Sequence, residues 1–174
     1  MRFSLALMVA GVLAVPGVAF ANVILPPAEA KVNKATALIV QGRVSEAEAP
    51  LRAAIAKDPN EAEAHYNLGV VLRESGRFDE ASGEYRAAMN LFSSGDEPNQ
   101  AKCLYGIALA QEATGDPAVA AGAWHEYIRF AQRFESEQTS VDIAKNHLDG
   151  ELRAANLKGP FPFGSTATRP QHDQ

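Results

Sequence analysis

The sequence predicts an all-α protein made of stacked helix hairpins closed by one further helix, and three observations carry that expectation. Apolar residues recur at helical spacing over most of the chain, as in Val32, Ala35, Leu38 and Ile39, or Val141, Ala144, Leu148 and Leu152. The pattern repeats itself: Gly42, Ala47 and Leu51 stand 34 residues before Gly76, Ala81 and Tyr85, while Tyr105, Ile107, Gly115, Ala120 and Trp124 stand 39 after Tyr66, Leu68, Gly76, Ala81 and Tyr85. The 10 prolines and 13 glycines gather at the termini and at turns, which leaves the alanine-rich middle free to be helical.

Taken in order, the chain opens on a basic start, Met1-Arg2-Phe3, followed by an apolar run from Leu5 to Val15. Pro16-Gly17 breaks the run, and Ala19-Phe20-Ala21 gives the small-x-small pattern of signal-peptidase cleavage. Residues 1–21 are therefore expected to be a signal peptide, cut after Ala21. An uncleaved anchor would need about 20 apolar residues without such breaks. Residues 22–27 form a short extended lead.

The first helix is expected over Ala28 to Gln41, with Pro27 at its first position, where a missing N–H costs nothing. Gly42 supplies the positive φ that stops it. The second runs from about Ser45 to Lys57, with Pro50 placed in its first turn, and Asp58-Pro59-Asn60 ends it. The third opens at Ala62 and turns at Gly76; the fourth has Asp79 and Glu80 near its start, where the helix dipole favours acids.

The offset grows from 34 to 39 after this point, so five residues are inserted between Leu91 and Ala101, where Ser93-Ser94-Gly95-Asp96 reads as loop. A fifth helix, Glu97 to Thr114, follows an Asp96 cap. Asp116-Pro117 restarts the chain into a sixth carrying Ala120, Trp124, Tyr127, Ile128 and Ala131. A seventh, from Val141 to Leu157, is capped by Thr139 or Ser140 and stopped by Gly159-Pro160. Residues 159–174, Phe161-Pro162-Phe163-Gly164 followed by a polar stretch from Ser165 to Gln174, are expected to be a disordered tail.

The segment His65-x-x-Leu68-Gly69-x-x-Leu72, the turn at Gly76 and Ala81-x-x-x-Tyr85-x-x-Ala88 resemble one tetratricopeptide repeat (TPR), and 34 residues is the length of that repeat. His65 and Leu72 depart from the family's Trp and Tyr. The resemblance implies an α-solenoid over residues 28–158, with repeats at about 28–61, 62–95 and 101–134 and a capping helix at 140–158 that covers the last bare flank. It also implies that the first helix of each repeat lines a concave surface. The exposed stripe placed this way comprises Val32, Thr36 and Ile39; Glu63, Tyr66, Val70 and Arg73; and Lys102, Tyr105, Leu109 and Glu112. Within each set the spacing is three or four, one helix face. Asn67 and Lys102 match places in the family's clamp for C-terminal carboxylates, but Val32, Thr36 and Gly106 do not, which argues against that clamp.

Other chemistry finds little support. The chain carries a formal net charge of −5, and beyond residue 21 it holds 15 basic against 21 acidic residues, the wrong balance for nucleic acid or an anionic membrane surface. His125-Glu126 begins like a zinc-protease helix, but Arg129 stands where the second histidine is needed. Paired-cysteine metal motifs, phosphate-cradling loops and nucleophile elbows do not occur in the sequence. Cys103, the one cysteine, reads as a small buried hydrophobe. The expectation is thus an exported adaptor, periplasmic by likeness to exported TPR proteins of this size. It needs no cofactor or metal, and it binds a protein or extended peptide partner on its concave face. The alternative is a self-associating structural protein of the cell envelope.

Overall fold

A computed structural model describes residues 27–134 and 138–156. Among the described residues there are seven helices and no strand: α1 (Pro27–Val40), α2 (Val44–Ile55), α3 (Ala62–Glu74), α4 (Phe78–Leu91), α5 (Glu97–Thr114), α6 (Pro117–Ala131) and α7 (Gln138–Ala154). The expected signal peptide, the extended lead up to Pro26 and the tail from Leu157 lie outside the described residues.

Each helix packs on the next, α1 additionally touches α3, and α3 touches α5. No comparable contact joins α2 to α4 or α4 to α6. Closer approach within the odd-numbered row bends the stack, with α1, α3 and α5 on the inside. The protein is an all-α helical-repeat solenoid.

The repeat is visible in the backbone. Gly42, Gly76 and Gly115 follow α1, α3 and α5 with φ of 75°, 76° and 83°, the left-handed conformation that lets a helix stop and the chain reverse within three residues. After the first two glycines an arginine grips the glutamate three residues on through both oxygens. Arg43 Nε and Nη2 donate to Glu46 at 2.7 and 2.6 Å, and Arg77 does the same to Glu80 at 2.7 and 2.6 Å. The third hairpin solves the same problem differently. Asp116 Oδ1 accepts from the backbone of Ala118 (3.0 Å) and Val119 (3.3 Å), with Pro117 at the first helical position.

Helix α5 has its expected bounds, Glu97–Thr114: it starts four residues earlier than the repeat offset requires and α4 ends two later, so the insertion is absorbed as helix and 92–96 stay irregular. Two expectations need correction. Asp96 stands at the start of α5, yet its carboxylate accepts from the Asn99 side chain, at 3.0 Å to each oxygen, and not from the backbone. Pro50 lies in the second turn of α2, inside the helix, so the carbonyl of Glu46 loses its usual partner and the helix continues on its packing.

Helix α7 also differs from its expected bounds. It begins at Gln138, so Thr139 and Ser140 sit inside its first turn and not at the position that caps it. It ends at Ala154, where Asn156 adopts a φ of 54° and the amides of Ala155 and Asn156 bond back to Glu151 and Arg153. Its predicted stripe is real: Val141 and Ala144 are fully buried, and Leu148 packs on the same cluster as Trp124 and Tyr127.

One large side chain per hairpin fills the space between rows: Leu51, Tyr85 and Trp124, all at 1% exposure or less. For Tyr85 the space is made by glycine on both sides. A Cβ at Gly69 would meet its ring at 2.8 Å, and one at Gly106 at 2.7 Å. Gly106 is therefore the socket for a ring from the neighbouring hairpin, which is why no clamp arginine stands there.

Candidate protein-binding site

The inner row carries the predicted stripe at uneven exposure, and its cavity gathers Tyr66, Lys102 and Tyr105. Thr36, Glu63 and Lys102 are exposed, while Ile39, Tyr66, Val70, Arg73, Tyr105, Leu109 and Glu112 are half-buried. Val32 is a correction. At 1% exposure it belongs to the core beneath α1, because the first helix of a stack turns more of its surface onto the second and third.

Two further members of the stripe are occupied by the chain itself. Glu112 Oε2 accepts from the indole N–H of Trp124 at 2.6 Å and faces His147 Nδ1 at 2.9 Å, while the His147 ring stacks on the indole at 4.6 Å. Glu112 thereby ties α5, α6 and α7 together. Thr36 Oγ1 accepts from Asn67 Nδ2 at 3.2 Å, bracing α1 against α3.

The tyrosines are both packed and presented. Tyr66 leans on Tyr85 at 5.7 Å, and Tyr105 meets Trp124 and Tyr127 edge-on at 5.3 Å each. Burial pushes the Tyr66 phenol above its ordinary pKa, with the nearby Cys103 acting in the same direction, so it remains a neutral hydroxyl. Lys102 projects at the rim, where its ammonium donates to Asn99 at 3.0 Å.

Between these residues lies a cavity of about 160 Å³, lined by Tyr66, Ala101, Lys102, Tyr105, Tyr127 and Ser140. Its cause is topological. Helix α7 packs chiefly on α6 and approaches α5 less closely than α5 approaches α3, meeting it through Glu112 and His147, so space is left beside its first turn. Tyr127 and Ser140 were not part of the predicted stripe. They come from an even-numbered helix and from the first turn of α7, and a one-face-per-first-helix reading includes neither.

A larger cavity of about 540 Å³ opens elsewhere, lined by residues of α4, α5 and α6 with Arg133. There the Arg133 guanidinium already lies over the Phe130 ring at 4.6 Å, and its Nε donates to the Phe130 carbonyl at 3.1 Å.

His65, expected as a packed side chain, is that and more. Nδ1 meets Glu84 Oε2 at 2.6 Å and Nε2 meets the Pro59 carbonyl at 3.1 Å, which pins α3 to α4 and to the loop before it. Among the described residues no cluster of three His, Cys, Asp or Glu side chains is arranged to hold a metal ion, and no helix is long and apolar enough to cross a membrane.

Fold and site together define a helical-repeat protein whose inner face presents aromatic side chains. Residues 32–93 match the model of the tetratricopeptide repeat family, from within α1 to just past the end of α4. No curated protein matches the chain. A tetratricopeptide repeat domain points to a role in protein–protein interaction.

Proposed function

We propose that this protein is an exported, non-catalytic adaptor, periplasmic in its working state, that holds an extended, partly apolar segment of another protein against its inner face. The observation that carries the reading is the aromatic cavity where Tyr66, Tyr105 and Tyr127 converge beside Lys102. Tyrosine offers a large, nearly rigid contact area with a polar tip, which is what binding surfaces favour. The basic start, apolar run and Ala19-Phe20-Ala21 of the N-terminus support export.

A photo-crosslinking residue placed at position 102 in cells tests the reading. One partner is expected to be trapped reproducibly, and its crosslink to disappear when Tyr66 and Tyr105 are both alanine while helicity by circular dichroism is retained. Crosslinking that ignores those changes would remove the inner face from the model. N-terminal sequencing of the mature protein is expected to begin at Asn22; light scattering showing a monomer separates this reading from self-association.

A further inference from the structure

We infer that the cavity beside the first turn of α7 is a socket for a single aromatic side chain of the bound segment, flanked by a carboxylate that meets Lys102. This rests on the adaptor reading and specifies its ligand. Three features of the site lead to it.

The first is size. About 160 Å³ is close to the roughly 150 Å³ apolar cavity that takes up benzene, so one ring fits and two do not. The second is lining. Tyr66, Tyr105 and Tyr127 surround the space, and Tyr105 already makes edge-to-face contacts with Trp124 and Tyr127. A guest ring would extend the same packing geometry. The third is charge. Among the described residues no ion pair engages Lys102, whose contact is the neutral Asn99 amide, and it stands at the mouth of the cavity. In a chain of net charge −5 a carboxylate gains locally only where such a cation is available.

The tail phenylalanines, Phe161 and Phe163, are poor candidates for the guest. Helix α7 runs away from Ser140, which lines the cavity, so Asn156 lies about 24 Å distant at 1.5 Å per residue. The Cα of Phe161, five residues further, reaches back about 18 Å at most and that of Phe163 about 25 Å, so either ring would enter only with the intervening backbone almost fully extended.

A phage-displayed library of random dodecapeptides, selected on the full chain, tests the assignment. Enriched peptides are expected to share one Phe, Tyr or Trp with an Asp or Glu within two positions. Replacing that ring by alanine in the synthetic peptide is expected to weaken binding roughly 30-fold, the loss seen at a hot-spot anchor. Ser140→Phe, which plugs the cavity from α7, is expected to abolish binding, and Lys102→Glu to remove the acidic preference while the aromatic one stays.

Peptides without an aromatic residue, insensitive to Ser140→Phe but lost on Val70→Asp, would overturn the socket and leave the inner-face reading standing. No enrichment from the full chain or from one ending at residue 158 would sink both. Enrichment only on the shortened chain would show the tail to be the occupant and overturn the assignment to a partner.

Discussion

Tyr85 sets the tolerances of the inner packing, because its ring is held between two helices that carry no side chain where it lies. Adding one carbon at Gly106 brings Cβ within 2.7–2.9 Å of three ring atoms, and the ring, 1% exposed, has nowhere to move. Gly106→Ala is expected to lose about 1–3 kcal/mol despite alanine's better helix propensity, since overpacking outweighs it. Gly83→Ala is the control: nothing lies within 4 Å of its Cβ, and α4 is expected to gain about 0.5–1 kcal/mol. Urea denaturation of both variants checks the pair, and equal signs would refute the reading. Burial also pushes the Cys103 thiol from 9.0 up to about 12 and the Tyr85 phenol from 10.0 up to about 12, the latter partly offset by the nearby Arg73. Both groups lose their protons first in the unfolded chain, so stability is complete below about pH 9 and falls as pH rises toward 12. Urea midpoints measured across that interval are expected to decline, less steeply in Cys103→Ala. The same thiol, buried and protonated, is expected to react with alkylating reagents only on unfolding.

At the scale of elements, α7 closes the stack through a polar lock on an apolar seat. Val141 and Ala144 cover the side of α6, and His147 sits flat on Trp124 while both address Glu112. Glu112→Ala leaves a buried indole N–H unpaired and is expected to cost about 1–3 kcal/mol. Trp124 is the chain's one tryptophan, so its emission reports on this contact directly. Removal of residues from 138 onward is expected to shift the emission to longer wavelength, and an unchanged spectrum would mean that α7 does not shield the ring. The two hairpin interfaces differ in kind. Arg77 on the second reaches back to Glu48 on α2 at 2.8 Å and holds that carboxylate below its usual range, whereas Gln111 on α5 meets the buried Ser82 at 2.8 Å. Raising the salt concentration is therefore expected to loosen the first junction and spare the second, a contrast that hydrogen exchange along α2 and α5 measures.

Across the whole molecule, the architecture was legible because periodicity and turn chemistry are local signals. Gly42, Gly76 and Gly115 announce the hairpins by residue type alone, and their offsets carry the repeat. The start of α5 at Glu97 was legible as well, although the Asp96 carboxylate before it does not cap the helix backbone. The site was half legible. Spacing along each helix places Tyr66 on α3 and Lys102 and Tyr105 on α5, but the looser approach of α7 to α5 that admits Tyr127 and Ser140 is a relation between elements far apart in sequence. Val32 was misplaced for the same reason: it shares the stripe of its helix, yet its neighbours cover it.

The tyrosine wedged between Gly69 and Gly106 has a mechanical outcome beyond stability. A ring keyed into two successive hairpins prevents them from rolling over one another. A visiting polypeptide thus meets a surface already set in shape, and little of its contact energy is spent on ordering the host.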